Sequence, residues 1–156
     1  ACDRRGNSAF HWAAGSGHLA VCAWLVDECK LDPAMRSPKH AGRRALHWAA
    51  RNGRTEVCRW LLCCRGFVDC ETDAGDTPLM LAAWQGQLEV CRLLVGEHAD
   101  VAHLNRWGCS ALHKAARMDG AASSLEVLQF LVNDCGLDPC EANCNGHTAL
   151  HKAAMH

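Results

Sequence analysis

The amino-acid sequence predicts an all-α solenoid of stacked helix-turn-helix units joined by extended loops, and three recurrences carry that prediction. The first is a short signature. Gly6 to Ala14 reads G-N-S-A-F-H-W-A-A, Gly42 to Ala50 G-R-R-A-L-H-W-A-A, Gly75 to Ala83 G-D-T-P-L-M-L-A-A, Gly108 to Ala116 G-C-S-A-L-H-K-A-A and Gly146 to Ala154 G-H-T-A-L-H-K-A-A. The leading glycines stand 36, 33, 33 and 38 residues apart, a period at which each unit is one supersecondary motif that buries its apolar face only against neighbours. The second is an apolar triplet at i, i+3 and i+4, one face of a helix: Val21, Trp24, Leu25; Val57, Trp60, Leu61; Val90, Leu93, Leu94; Val127, Phe130, Leu131. The third is Cys22, Cys58 and Cys91 at one place in successive units, where the fourth unit has Leu128.

In the first unit Ser8 is placed to cap a short helix through Trp12 and Ala14, Gly15 and Gly17 break it, and a second helix begins near Leu19. The second unit has the plainest pair, Ala45 to Arg51, the turn Asn52-Gly53, then Thr55 to Cys64, and the third matches it in length. Helices this short are not stable alone in water, where about 12–15 residues is marginal, so stability is shared along the stack. Leu31-Asp32-Pro33, Asp100-Val101 and Leu137-Asp138-Pro139 open the extended loops, and proline there forbids continuation of the helix. The first unit carries about three extra residues around Ser37-Pro38, and the fourth an enlarged inter-helix turn from Met118 to Ser124. Such insertions map to loops on one face, as specificity loops or as tolerated surface drift.

The period and the signature resemble those of the ankyrin repeat, over nearly the whole chain: units at 3–38, 39–71, 72–104, 105–142 and a partial fifth at 143–156. The resemblance implies an ankyrin-repeat solenoid that binds a partner protein through turn tips and the exposed side of the first helices, which line a concave groove. It also implies a structural role for the signature histidines His11, His47, His113 and His151, each tying a turn to its repeat. Met80 replaces that histidine in the third unit and Arg44 replaces the usual Thr or Ser in the second, so those two turns are expected to be held less well.

Carried onto this sequence, the groove positions of interest are Arg43, Arg51, Asp73, Asp76, Trp84, Gln85, Arg106, Trp107, Arg117 and Met118. Trp84 and Trp107 with the four arginines form the expected hot spot, since Trp and Arg dominate binding energetics; the alternative is that either ring folds back on a neighbouring repeat. Trp12 and Trp48 are expected to pack between repeats, and Trp24 and Trp60 to belong to the core. Four arginines against two aspartates suggest a partner with acidic or phosphorylated segments. The position that follows the D-V pair, an asparagine in repeats modified by asparaginyl hydroxylase, holds Ala34, Asp69, Ala102 and Cys140, so no such modification is expected there.

Composition narrows the function classes. Lys and Arg number 16 against 17 Asp and Glu, with no run of like charge, which argues against nucleic acid or an anionic membrane as partner. No apolar run approaches the roughly 18 residues of a membrane span, so a soluble chain, monomeric as a module, is expected. The 12 cysteines would suggest a disulfide scaffold in a short secreted chain. However, equivalent positions of adjacent repeats lie about one interhelix distance apart, roughly 8–10 Å, beyond disulfide reach. Buried free thiols favour a reducing compartment, hence an intracellular protein, cytoplasmic or nuclear. Cys135, Cys140, Cys144 and His147 form a C-x4-C-x3-C-x2-H run, a weak zinc signal because structural sites use tighter pairs; no metal or other cofactor is expected. No phosphate-binding loop, H-E-x-x-H or G-x-S-x-G motif is present, and no catalysis is expected. The chain starts at Ala1 and stops just after a fifth signature, so it is expected to be cut from a protein that continues both ways. Alternatives are the targeting or regulatory arm of a larger enzyme, or a thiol- or zinc-responsive segment.

Overall fold

A computed structural model describes residues 9–38, 40–64, 67–117 and 122–154. The described helices are α1 (Ala9–Ser16), α2 (Leu19–Asp27), α3 (Ala45–Arg51), α4 (Thr55–Cys63), α5 (Pro78–Trp84), α6 (Leu88–Gly96), α7 (Ala111–Ala115), α8 (Ala122–Gln129) and α9 (Ala149–Ala154). They form two rows. The first helices pack in series, α1 on α3, α3 on α5, α5 on α7 and α7 on α9, while α2, α4, α6 and α8 stack behind them. The signature alanines explain the first row: Ala13-Ala14, Ala49-Ala50, Ala82-Ala83 and Ala115-Ala116 are all buried, and small side chains at a contact let helix axes approach closely. Thr77 caps α5, its Oγ1 accepting the Met80 N–H at 3.4 Å, with Pro78 at the first helical position. The Ser8 cap lies outside the described residues.

The core runs between the rows through Leu46, Val57, Leu79, Val90, Leu94, Leu112, Val127 and Leu131. Cys22, Cys58 and Cys91 are wholly buried and free, as the recurrence implied. Burial pushes their thiols up to about 11, 12 and 12, since a thiolate loses its hydration there. The triplet reading needs one correction, in α2. Leu25 is buried, but Val21 and Trp24 are 46% and 57% exposed. Their counterparts Val57 and Val90 are buried and Trp60 and Leu93 partly so, because α4 and α6 have second-row neighbours on both sides; among the described residues α2 packs chiefly on α1 and α4.

The fourth unit absorbs its extra length in two places. The enlarged turn is shorter than expected at its far end, since α8 already begins at Ala122. After Val127 one further residue intervenes before the next signature glycine, 19 positions against 18 after Val57 and Val90. That residue is taken up by a π-helical turn over Phe130–Asp134, in which Cys135 N–H reaches the Phe130 carbonyl at 3.2 Å, a wider turn that accommodates one residue within a helix.

Candidate protein-binding groove

Each turn tip is organised by one buried polar residue: Ser37, Thr72, Asn105 and Asn143. Asn105 Oδ1 accepts from the Trp107 and Cys109 amides, both at 3.0 Å. Asn143 does the same for Asn145 and His147 at 2.9 and 3.1 Å, and Thr72 Oγ1 accepts from Asp76 N–H at 3.0 Å. Neighbouring tips are then fastened backbone to backbone: Asp73 N–H to Ala41 O at 2.6 Å, Arg106 N–H to Ala74 O at 3.1 Å, Cys144 N–H to Trp107 O at 3.1 Å. Gly108 shows why the signature opens on glycine. Its φ is +67°, where a side chain is strained, and a Cβ there would sit 2.9 Å from the Cys144 backbone nitrogen.

The signature histidines work across units as well as within them. His47 Nδ1 accepts the Arg44 N–H at 3.0 Å, which leaves the proton on Nε2, and Nε2 donates to the Asp76 carbonyl at 3.2 Å. His113 bridges in the same way from Ser110 to the His147 carbonyl, at 3.3 and 3.1 Å, and His11 Nε2 lies 3.2 Å from the Met35 carbonyl. The two turns expected to be loose are held by other means. Arg44 Nη1 donates to Ala34 O at 3.2 Å. Where Met80 has no ring to offer, His103 Nε2 lies 3.0 Å from Gly75 O and ties the end of the third unit back to its own tip.

On this frame the expected site residues divide by contact into two groups. In units two and three, the Arg43 guanidinium lies 5.3 Å over the Trp48 ring and that of Arg51 lies 5.2 Å over Trp84. His40 meets Trp48 edge-on at 5.3 Å, and Trp84 and Gln85 are half-buried. Burial lowers the Arg43 pKa, and the neighbouring Arg51 charge lowers it further, against an opposing effect of Asp76. Further along, Trp107 (53% exposed) and Arg117 line an open depression of about 220 Å³ with Asn105, Cys109, Lys114 and Asn145. Arg106 is exposed at the adjoining tip, and Met118 lies outside the described residues.

Both aspartates are occupied within the fold. Asp76 is buried, with Oδ1 2.7 Å from Lys114 Nζ and 2.7 Å from Asn105 Nδ2, so it braces the groove floor rather than facing a partner. Asp73 pairs with Arg36 at 2.6 Å on the surface.

Trp12 and Trp48 are the larger correction. Neither is buried between repeats: Trp12 is 55% exposed, and Trp48, beside Gly15 of the first unit, is half-buried with His40 and Arg43 against it. Their column, the residue between the signature histidine and A-A, holds Lys114 in the fourth unit. The column is not uniform: Leu81 in the third unit is buried, and Lys114 turns to Asp76. Among the described residues no three His, Cys, Asp or Glu side chains converge as metal ligands, so Cys135, Cys140, Cys144 and His147 are not gathered.

Among the described residues no helix is long and apolar enough to cross a membrane. A family model for ankyrin repeats (3 copies) matches residues 1–73 and 79–156. A curated relative, an intracellular phospholipase A2 of Caenorhabditis elegans, is 35% identical over 91 residues, which is 56% of this chain and 8% of that protein. The chain therefore spans less than a tenth of the length of that relative.

Proposed function

Because the chain belongs to the ankyrin-repeat family, we propose that it is a non-catalytic module that holds a segment of a partner protein in the groove of turn tips and first helices. Ankyrin repeats are in general protein–protein interaction modules, and solenoid curvature presents a long continuous surface. The observation that carries the reading is a division of labour. Buried Ser37, Thr72, Asn105 and Asn143 fix the tips, while Arg43, Arg51, Trp84, Arg106, Trp107 and Arg117 stand beside them without a hydrogen bond from their side chains to any described residue. A rigid surface rich in Trp and Arg loses little entropy on binding. Groove cations outnumber free groove carboxylates, which favours a partner segment that is acidic or phosphorylated. The buried free thiols favour a reducing, intracellular setting.

The test is affinity capture with the parent chain beside a Trp84→Ala/Trp107→Ala/Arg51→Ala variant of equal helical content, with cross-links mapped on the retained protein. Retention by the parent alone, with cross-links to the groove, supports the reading. Equal retention by both removes it.

The phospholipase relative favours a second reading, in which this segment is the targeting or regulatory arm of a larger enzyme. Phospholipase activity in the full-length protein that depends on a groove-bound partner would establish it; full-length protein inert toward phospholipid would not.

A further inference from the structure

We propose that Arg43 and Arg51, held against Trp48 and Trp84, form a receptor for one phosphoryl group on a side chain of the partner segment. The proposal rests on the groove reading above and assigns it a ligand.

Three observations lead there. Arg43 lies over the ring of Trp48, and Arg51 stands one turn beyond Trp48 on the same helix, α3; neither guanidinium forms an ion pair among the described residues. The carboxylates that might have neutralised them are committed elsewhere, Asp73 to Arg36 and Asp76 to Lys114 and Asn105. A fold that sets two cations along one tip and helix, with Asp76, the acid that acts on Arg43, already engaged by Lys114 and Asn105, leaves a place for a foreign anion.

The second observation is unsatisfied donors. Arg43 Nε, Arg51 Nε and Trp48 Nε1, with His40 Nε2 beside them, are closed off from solvent without a hydrogen-bond partner. Buried polar atoms nearly always have partners in folded proteins, yet five without one, Arg44 Nε among them, occur along a single tip and the helix that follows it.

Third, the arginines are already posed. Each guanidinium rests on an indole face, at 5.3 and 5.2 Å, a contact that favours the cation and limits its rotamers. Arginine's planar fork suits paired hydrogen bonds to phosphate oxygens.

Charge selects phosphate over carboxylate. A phosphorylated side chain carries nearly two negative charges and three terminal acceptor oxygens, enough to match both cations and both forks at once. A carboxylate neutralises one.

The test uses the whole chain and a degenerate peptide pool with a fixed central phosphoserine, beside matched pools with serine or glutamate there, titrated by fluorescence anisotropy. The phosphoserine pool is expected to bind about tenfold more tightly than the serine pool, the worth of charge-assisted hydrogen bonds, with glutamate between. Arg43→Gln/Arg51→Gln abolishes the preference. Arg43→Lys/Arg51→Lys, which keeps the charge and guards against a folding artefact, retains only part of it. Trp107→Ala weakens all pools alike and leaves their ratio unchanged.

Equal binding of the phosphoserine and serine pools, glutamate binding as tightly as phosphoserine, or an undiminished preference in the Gln variant each overturns the proposal. So does failure of every pool to bind. Binding that ignores phosphorylation but falls in Trp107→Ala removes the phosphoryl receptor and leaves the groove reading intact.

Discussion

His47 Nε2 donates across 3.2 Å to the carbonyl oxygen of Asp76, so one ring joins the second repeat to the third. The two bonds of the ring together require neutral imidazole with its proton on Nε2, because Nδ1 accepts from Arg44. Burial, the largest influence, pushes the ring's pKa from 6.5 down to about 4.

That shift sets a pH window. The unfolded chain takes up the proton near pH 6.5 and the folded chain only near 4, so protonation favours unfolding between them. The stabilisation is complete above pH 6.5, declines as pH falls at up to about 1.4 kcal/mol per unit, and levels off below about 4. Urea denaturation across this range is expected to show that slope in the parent and a shallower one in His47→Gln.

The thiols should separate by burial. At pH 8 in the folded protein, Cys22, Cys58 and Cys91, raised to about 11, 12 and 12, resist iodoacetamide. Exposed Cys29, Cys63, Cys140 and Cys144 react first. Mass spectrometry of tryptic peptides reads the order, and denaturant is expected to abolish it.

Two glycines separate backbone strain from crowding. Gly136 has φ +73° with nothing within 4 Å of an added Cβ, so Gly136→Ala should cost about 1 kcal/mol from the left-handed conformation alone. Gly108 has a similar φ but meets the Cys144 backbone. Gly108→Ala should cost roughly 2 to 3 kcal/mol, read as a lower urea midpoint.

The Lys114–Asp76 pair lies mostly out of water, with side chains 15% and 12% exposed. Removing one partner strands the other, so Lys114→Met should destabilise by about 2 kcal/mol. Asp76→Asn on that background should cost less than on the parent, by about 1 kcal/mol in a double-mutant cycle.

Much of the fold was legible because its period is written several times. The second unit's helices fall where the pattern put them, the observed α4 ending one residue earlier, at Cys63. The π-helical turn was visible only as a single extra residue after Val127, too small a departure to read without geometry. The site was less legible because neighbouring positions in the signature play different parts. Asp76 follows the tip glycine and reads as displayed, yet Lys114 and Asn105 draw it inward. Trp48 reads as packing because it precedes A-A, yet its ring is half-buried with His40 and Arg43 against it. Asn105 and Asn143 stand three residues before their glycines as tip organisers, a place where Thr72 blurs the pattern by supplying a hydroxyl as the acceptor, while Ser37 stands five residues before Gly42.

The backbone rungs between tips are made by amides and carbonyls, so they place no demand on the side chains of the linked residues, of which Asp73 is also paired with Arg36. Asp73, Arg106 and Cys144 each donate through the main chain. Their identities could be rewritten almost at will, and the surface could be readdressed to a new partner without refolding the protein. Proline, which has no N–H to give, is the one residue barred from all three.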